Sequence, residues 1–247
     1  MAQSKRRQRQ PQKSASSMRA FYIVLALIAV AGAGWIVYSL AGGGGGGAAA
    51  TELVELTGLD DPQALYQAAK GIQLGEADAS VQILVFSDFT CPACKTWSTR
   101  VEPQVKSEFV SDGRVRLVYH DFPLGPGPGH EHGFFAARAG RCAEEQGRFW
   151  EFHDVLFGRQ SEWTFAGSAP VDQFVQYAGQ VGLDTEAFES CLSSDRHAEV
   201  VTANRRLGDM LGVNGTPTVY VGSRPLPGNS WADPAAVREA ILRELGS

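Results

Sequence analysis

The segment VQILVF at 81–86 runs through Ser87-Asp88-Phe89-Thr90 into Cys91-Pro92-Ala93-Cys94. The apolar run is short and rich in β-branched and aromatic side chains, which predicts a central buried strand. Beyond the cysteines, Trp97, Val101, Val105 and Phe109 recur at helical spacing until Asp112-Gly113 breaks the pattern. A strand that delivers a Cys-x-x-Cys directly onto a helix start leaves few folds open, most of them layered α/β. Pro103 lies inside the helical stretch and should kink or split it. Arg114 to His120, RVRLVYH, alternates polar and apolar residues and reads as a second long strand.

The rest of the chain extends this pattern on both sides. Asp61-Pro62 predicts a short helix, with Asp61 as N-cap and Pro62 at the first position. Ile72–Leu74 is a short apolar stretch at the start of the folded body. After a Pro/Gly-rich turn at 122–129, residues 130–211 are helical in period, punctuated by Gly147, Gly158, Ala169-Pro170 and Gly182. Strand chemistry returns at Thr216–Val221, followed by a hairpin candidate. A last helix is expected from Asp233 to Leu245, capped by Asp233 with Pro234 at its first position. The expectation is a mixed α/β domain, 71–129 and 212–247, interrupted by an all-helical insertion, 130–211.

Charge is distributed unevenly. Six of the 22 basic residues lie in 1–19, which has no acid, leaving 16 basic residues against all 27 acidic ones in the remainder. An acidic body behind a basic tail argues against nucleic acid as a partner, since phosphate binding needs basic residues on the folded surface. Residues 20–40 are uncharged and apolar, about the length a helix needs to cross a bilayer core. Tyr22, Trp35 and Tyr38 lie towards the ends of this segment, where amphipathic rings favour the membrane interface. The basic tail predicts a cytoplasmic N-terminus and an exported body, anchored in the inner membrane by this single span. A cleaved signal peptide is the rival reading, with small residues at 41–50 to accept a peptidase, although its apolar region is usually shorter. Residues 41–70, opening on a hexaglycine, form a flexible spacer that ends in the short helix.

Two cysteines three apart at a helix start can close a disulfide, and the helix N-terminus stabilises a thiolate on the first. Only the thiolate attacks a disulfide, so the pattern points to thiol–disulfide exchange with Cys91 as nucleophile and the more interior Cys94 as resolving partner. Pro92 fixes the backbone after the nucleophile, and a missing N–H costs nothing in a first turn. Half a zinc knuckle has the same spacing, but a second CxxC is lacking and Cys142 and Cys191 stand alone.

In combination, FSDFTCPAC at 86–94, YHDFPL at 119–124, RCAEEQGRFWEFHDVLF at 141–157 and GVNGTPTVYVG at 212–222 resemble the DsbA-like thiol–disulfide oxidoreductases of the thioredoxin superfamily, particularly membrane-tethered bacterial members. The resemblance covers roughly residues 70–247. It implies a thioredoxin-like fold with the helical insertion, to which the apolar segment at 20–40 adds one preceding transmembrane helix. It also implies that Pro217 is a cis-proline facing the two sulfurs, with Thr216 presenting backbone groups to an extended substrate peptide. Without the CxxC, a trans proline at a strand start would be the reading of Pro217; with it, the cis reading is favoured. One departure stands out. The position six before the first cysteine, where some relatives carry a buried acid, is Val85. Asp88 lies nearby, with capping the helix approach as its expected role and proton relay as the alternative.

If Cys91 pairs with Cys94, then Cys142 and Cys191 are left for one another as a structural staple of the insertion; a second redox centre is the alternative. His120, His130, His132, His153 and His197 are read as structural or surface residues, because disulfide exchange needs neither a metal nor a general base, and no cofactor is expected. The expected activity is oxidation of exported or unfolded polypeptides, with reoxidation by a quinone-linked membrane partner, DsbB-like or VKOR-like, as the resemblance implies. Pro92 and Ala93, between the cysteines, tune the potential and include no histidine. A less oxidising isomerase or reductase is therefore the alternative, and a non-catalytic tethered chaperone the reading from another class.

Overall fold

The structure is a computed structural model and describes residues 50–246. The anchor expected at 20–40 and the glycine spacer lie outside those residues. Among the described residues, no helix is long and apolar enough to cross a membrane.

The body is built on a five-stranded sheet of order β1-β3-β2-β4-β5. The strands are β1 (Ile72–Leu74), β2 (Val81–Ser87), β3 (Val115–Asp121), β4 (Thr218–Val221) and β5 (Arg224–Pro225). Only β2 and β3 pair in parallel, with Val85 opposite Tyr119 and Ser87 opposite Asp121. β2 also pairs antiparallel with β4, which makes it the central strand. That position explains its near-continuous apolar sequence, since both faces are covered and alternation would bury polar groups.

Helix α1 (Pro62–Ala68) is capped as expected, the Asp61 carboxylate accepting from the Ala64 N–H at 2.8 Å. Residues 92–110 form one helical run, α2, and Pro103 does not stop it. Pro92–Thr96 and Glu102–Val105 are α-helical, whereas Trp97–Val101 and Lys106–Val110 have π geometry. Glu102 N–H reaches back to the Trp97 carbonyl, so a widened turn just before Pro103 absorbs the proline's missing donor and its bulk. Helix α9 (Pro234–Leu245) starts on the Asp233 carboxylate, which accepts from the Ala235 N–H. Helices α2 and α9 cover one face of the sheet, around a core of Val81, Ile83, Val85, Trp97, Val101, Phe109, Val219 and Ile241.

Between β3 and β4 come α3 (Gly133–Glu145), α4 (Phe149–Gly158), α5 (Gln160–Trp163), α6 (Val171–Gln180), α7 (Thr185–Leu192) and α8 (Ala198–Met210). Phe135, Phe149, Phe152, Phe157, Trp163, Phe174 and Phe188 form a second core, which also takes in Phe89, Cys91, Cys94 and Tyr119. The cysteine-bearing junction is thus packed into the helical layer as well as the sheet. Arg141 of α3 is buried and forms an ion pair with buried Asp121 at the end of β3, at 2.6 Å. Cys142 on α3 is disulfide-bonded to Cys191 on α7. Helix α8 turns back onto the sheet, where Asn204 Oδ1 accepts from His120 Nδ1 at 2.6 Å.

Candidate active site

Cys91 is the N-cap of α2, in extended backbone geometry, so its Sγ stands at the helix mouth while Cys94 lies inside the first turn. Both are free thiols; Cys91 keeps 7% of its surface and Cys94 none. The loop into the helix is tied down at several points. Cys91 N–H donates to Asp88 O, and Gln160 Nε2, from the helical layer, donates to Phe89 O at 2.7 Å and to Cys91 O at 2.9 Å.

The peptide bond between Thr216 and Pro217 is cis. In its thiol form Cys91 Sγ donates to the Thr216 carbonyl at 3.3 Å, so the segment preceding β4 forms the opposite wall of the site. The ladder of β4 begins only at Thr218, two residues later than the sequence pattern suggests, since Pro217 has no N–H to offer it. The Thr216 hydroxyl is buried on the sulfur side, where hydrogen bonding from it favours the thiolate of either cysteine.

The two sulfurs differ in acidity. Hydrogen bonding from the Cys94 thiol lowers Cys91 from 9.0 to about 6, against the cost of burial and with help from Thr216 and the amides of the first helical turn. Burial pushes Cys94 well above its ordinary value, and the neighbouring Cys91 sulfur adds to the rise. The proton therefore sits on Cys94 and the charge on Cys91. Ser87 and Tyr119 lie buried on the Cys94 side, where hydrogen bonding from Ser87 works against the rise of Cys94.

Asp88 caps the approach to the helix. Its Oδ1 accepts from Thr90 N–H at 2.8 Å and Thr90 Oγ1 at 2.7 Å, and its Oδ2 accepts from Leu124 N–H at 2.9 Å. Gly133 makes room for this carboxylate, since a Cβ there would lie 2.9 Å from Asp88 Oδ1. The histidines do not share one role. His120, His132 and His153 are buried, and burial lowers His120 to about 4. His130, however, reaches Thr90 Oγ1 with its Nδ1 at 2.7 Å, beside the nucleophile. The sequence offered no local signal for that placement, because His130 sits in a Pro/Gly loop 39 residues after Cys91. Gln160 was equally silent.

The family model described as Thioredoxin matches residues 67–241. A probable disulfide bond formation protein D from Bacillus anthracis is 28% identical over 94% of this chain and 99% of its own length. The protein of that description from Bacillus cereus is 33% identical over 70% of this chain and 77% of its own. A protein named Na(+)/H(+) antiporter NhaA 3, from Salinispora tropica, is 32% identical over 87% of this chain, which spans only 32% of that protein. Among solved structures, oxidised BdbD from Bacillus subtilis superposes with a TM-score of 0.64 at 22% identity, over 81% of this chain and 99% of that one. A thioredoxin-like oxidoreductase from Silicibacter pomeroyi gives a TM-score of 0.58 at 28% identity, covering 74% and 96%.

Proposed function

The chain belongs to the thioredoxin family, as a DsbA-like thiol–disulfide oxidoreductase, and on that premise we propose that it oxidises exported polypeptides. The observation that carries this direction is the acidity split between the two sulfurs. In the forward reaction a substrate thiolate attacks Cys91 Sγ, the Cys91–Cys94 bond breaks, and Cys94 leaves and takes up a proton. A second substrate thiolate then attacks the substrate sulfur of the mixed disulfide. Cys91 leaves as a thiolate, and the substrate departs with a disulfide, two electrons poorer. A leaving thiol ionising at about 6 speeds that last step and stabilises the reduced enzyme, which makes the pair a better oxidant.

Thr216 and Pro217 flank the substrate strand in this reading, the Thr216 carbonyl already facing Cys91 Sγ. Exposed Leu124 and Phe165 and a largely apolar cavity of about 360 Å³ suit unfolded polypeptides. The body lies outside the cytoplasm, held to the inner membrane by residues 20–40 and reoxidised by a quinone-linked membrane protein, DsbB-like or VKOR-like. The basic tail and the Cys142–Cys191 disulfide, a bond that persists in oxidising compartments, support this placement.

The test is the reduction potential of the Cys91–Cys94 couple in the full-length protein, equilibrated against glutathione. A value well above thioredoxin's, about −270 mV, supports the oxidase. A value near thioredoxin's sinks that reading in favour of a reductase or isomerase, and an inert pair favours a tethered chaperone.

A further inference from the structure

Thr90 carries one hydroxyl proton and makes two close contacts through it. It donates to Asp88 Oδ1 at 2.7 Å, since a carboxylate only accepts, and so it must accept from His130 Nδ1, also at 2.7 Å. The ring therefore carries its hydrogen on Nδ1. Its second nitrogen remains available for a further proton, with Asp88 Oδ2 3.6 Å from Nδ1 to favour the cation. His130 is part-exposed and lines the apolar cavity, so solvent can supply that proton, whereas Asp88 is buried. The other charged groups facing the ring are Cys91 and Glu131, with Glu52 across the cavity. All are anionic or become so.

We propose that His130, held by Thr90 and Asp88, places beside the Cys91 sulfur the positive charge that the Pro92-Ala93 dipeptide between the cysteines lacks. It is a positioning residue that acts through the field at Cys91 and takes no part in bond making. The proposal rests on the thiol–disulfide reading but not on its direction. In support, hydrogen bonding to Asp88, opposed by partial burial, raises His130, and the Cys91 thiolate adds to the rise. The groups that lower Cys91 are Cys94, Thr216 and the helix amides, and any part His130 plays is smaller than theirs.

The experiment titrates the Cys91 thiolate by its ultraviolet absorbance in the reduced full-length protein, with Cys94 protonated across the range. H130Q raises the midpoint by about half a unit, roughly a threefold change in the ionisation constant. H130K, which restores charge without the ring, keeps the midpoint near that of the wild type. T90V, which removes the hydroxyl that holds the ring, moves it the same way as H130Q and decides the matter if H130Q fails to fold. An unchanged midpoint in folded H130Q or T90V overturns the proposal, as does H130K shifting as far as H130Q, which would mean that ring shape and not charge matters. Because no substrate is present, a reductase-like potential would defeat the oxidase reading while leaving this result intact.

Discussion

The chain holds two pairs of cysteines, and each pair's surroundings decide what it does. Cys91 and Cys94 stand at a helix mouth, with donors aimed at one sulfur and burial acting on the other. Cys142 and Cys191 sit on facing helices of the insertion, both about 1% exposed, among Phe135, Phe149, Phe188 and Leu192. Both sulfurs are buried, which shields the second bond from an attacking thiolate and slows its exchange. The first pair spans three residues and constrains almost nothing, whereas the second closes a loop of 49 residues. The split in acidity belongs to one pair and chain restraint to the other.

The largest effect that would break this contrast is on the first pair. Cys91→Ser should reduce oxidation of a reduced, unfolded substrate by at least about a hundredfold, while the urea midpoint of the protein changes little. Cys94→Ser should instead trap mixed disulfides on Cys91, visible by non-reducing electrophoresis. Equal loss in a Cys142→Ala/Cys191→Ala variant would mean that the second pair is a redox centre. That double variant is expected to lose about 4 kcal/mol in urea unfolding, the chain-entropy value for such a loop. It should keep its exchange rate wherever it remains folded.

Acidity gives a finer test. Alkylation of the reduced protein should follow a thiolate with a midpoint of about 6 from Cys91, while Cys94 resists well above 9.0. Cys91 ionises near 6 when folded and near 9.0 when unfolded, so its contribution to stability is complete above pH 9.0. That contribution is lost as pH falls through about 6. The smallest effect is expected from Thr216→Val. Deleting a hydroxyl that favours both thiolates should raise the Cys91 midpoint by less than about one unit without moving the Cys142–Cys191 bond.

Much of this arrangement was legible beforehand, wherever it depends on neighbours in sequence. Asp61 and Asp233 announced their helices because an N-cap bonds two or three residues ahead, and VQILVF announced a central strand because burial on both faces demands continuous apolarity. Pro103 was legible as a disturbance but not as a widened turn, because that outcome depends on Trp97 and Val101 being packed against the sheet. His130 and Gln160 could not be read at all. Each reaches the cysteine loop across the fold, and no spacing rule links residues 39 or 69 positions from Cys91.

By itself, the sequence determined the order of elements, the reactive pair and its helix, and the pairing left to Cys142 and Cys191. Periodicity, capping and the spacing of two sulfurs on a first turn are local physics. Only the tertiary structure decided how the sulfurs divide charge and proton. That division depends on the burial of Cys94 and on Thr216 arriving from 125 residues away. Electrostatic energies depend on distance and burial, and the packed chain sets both.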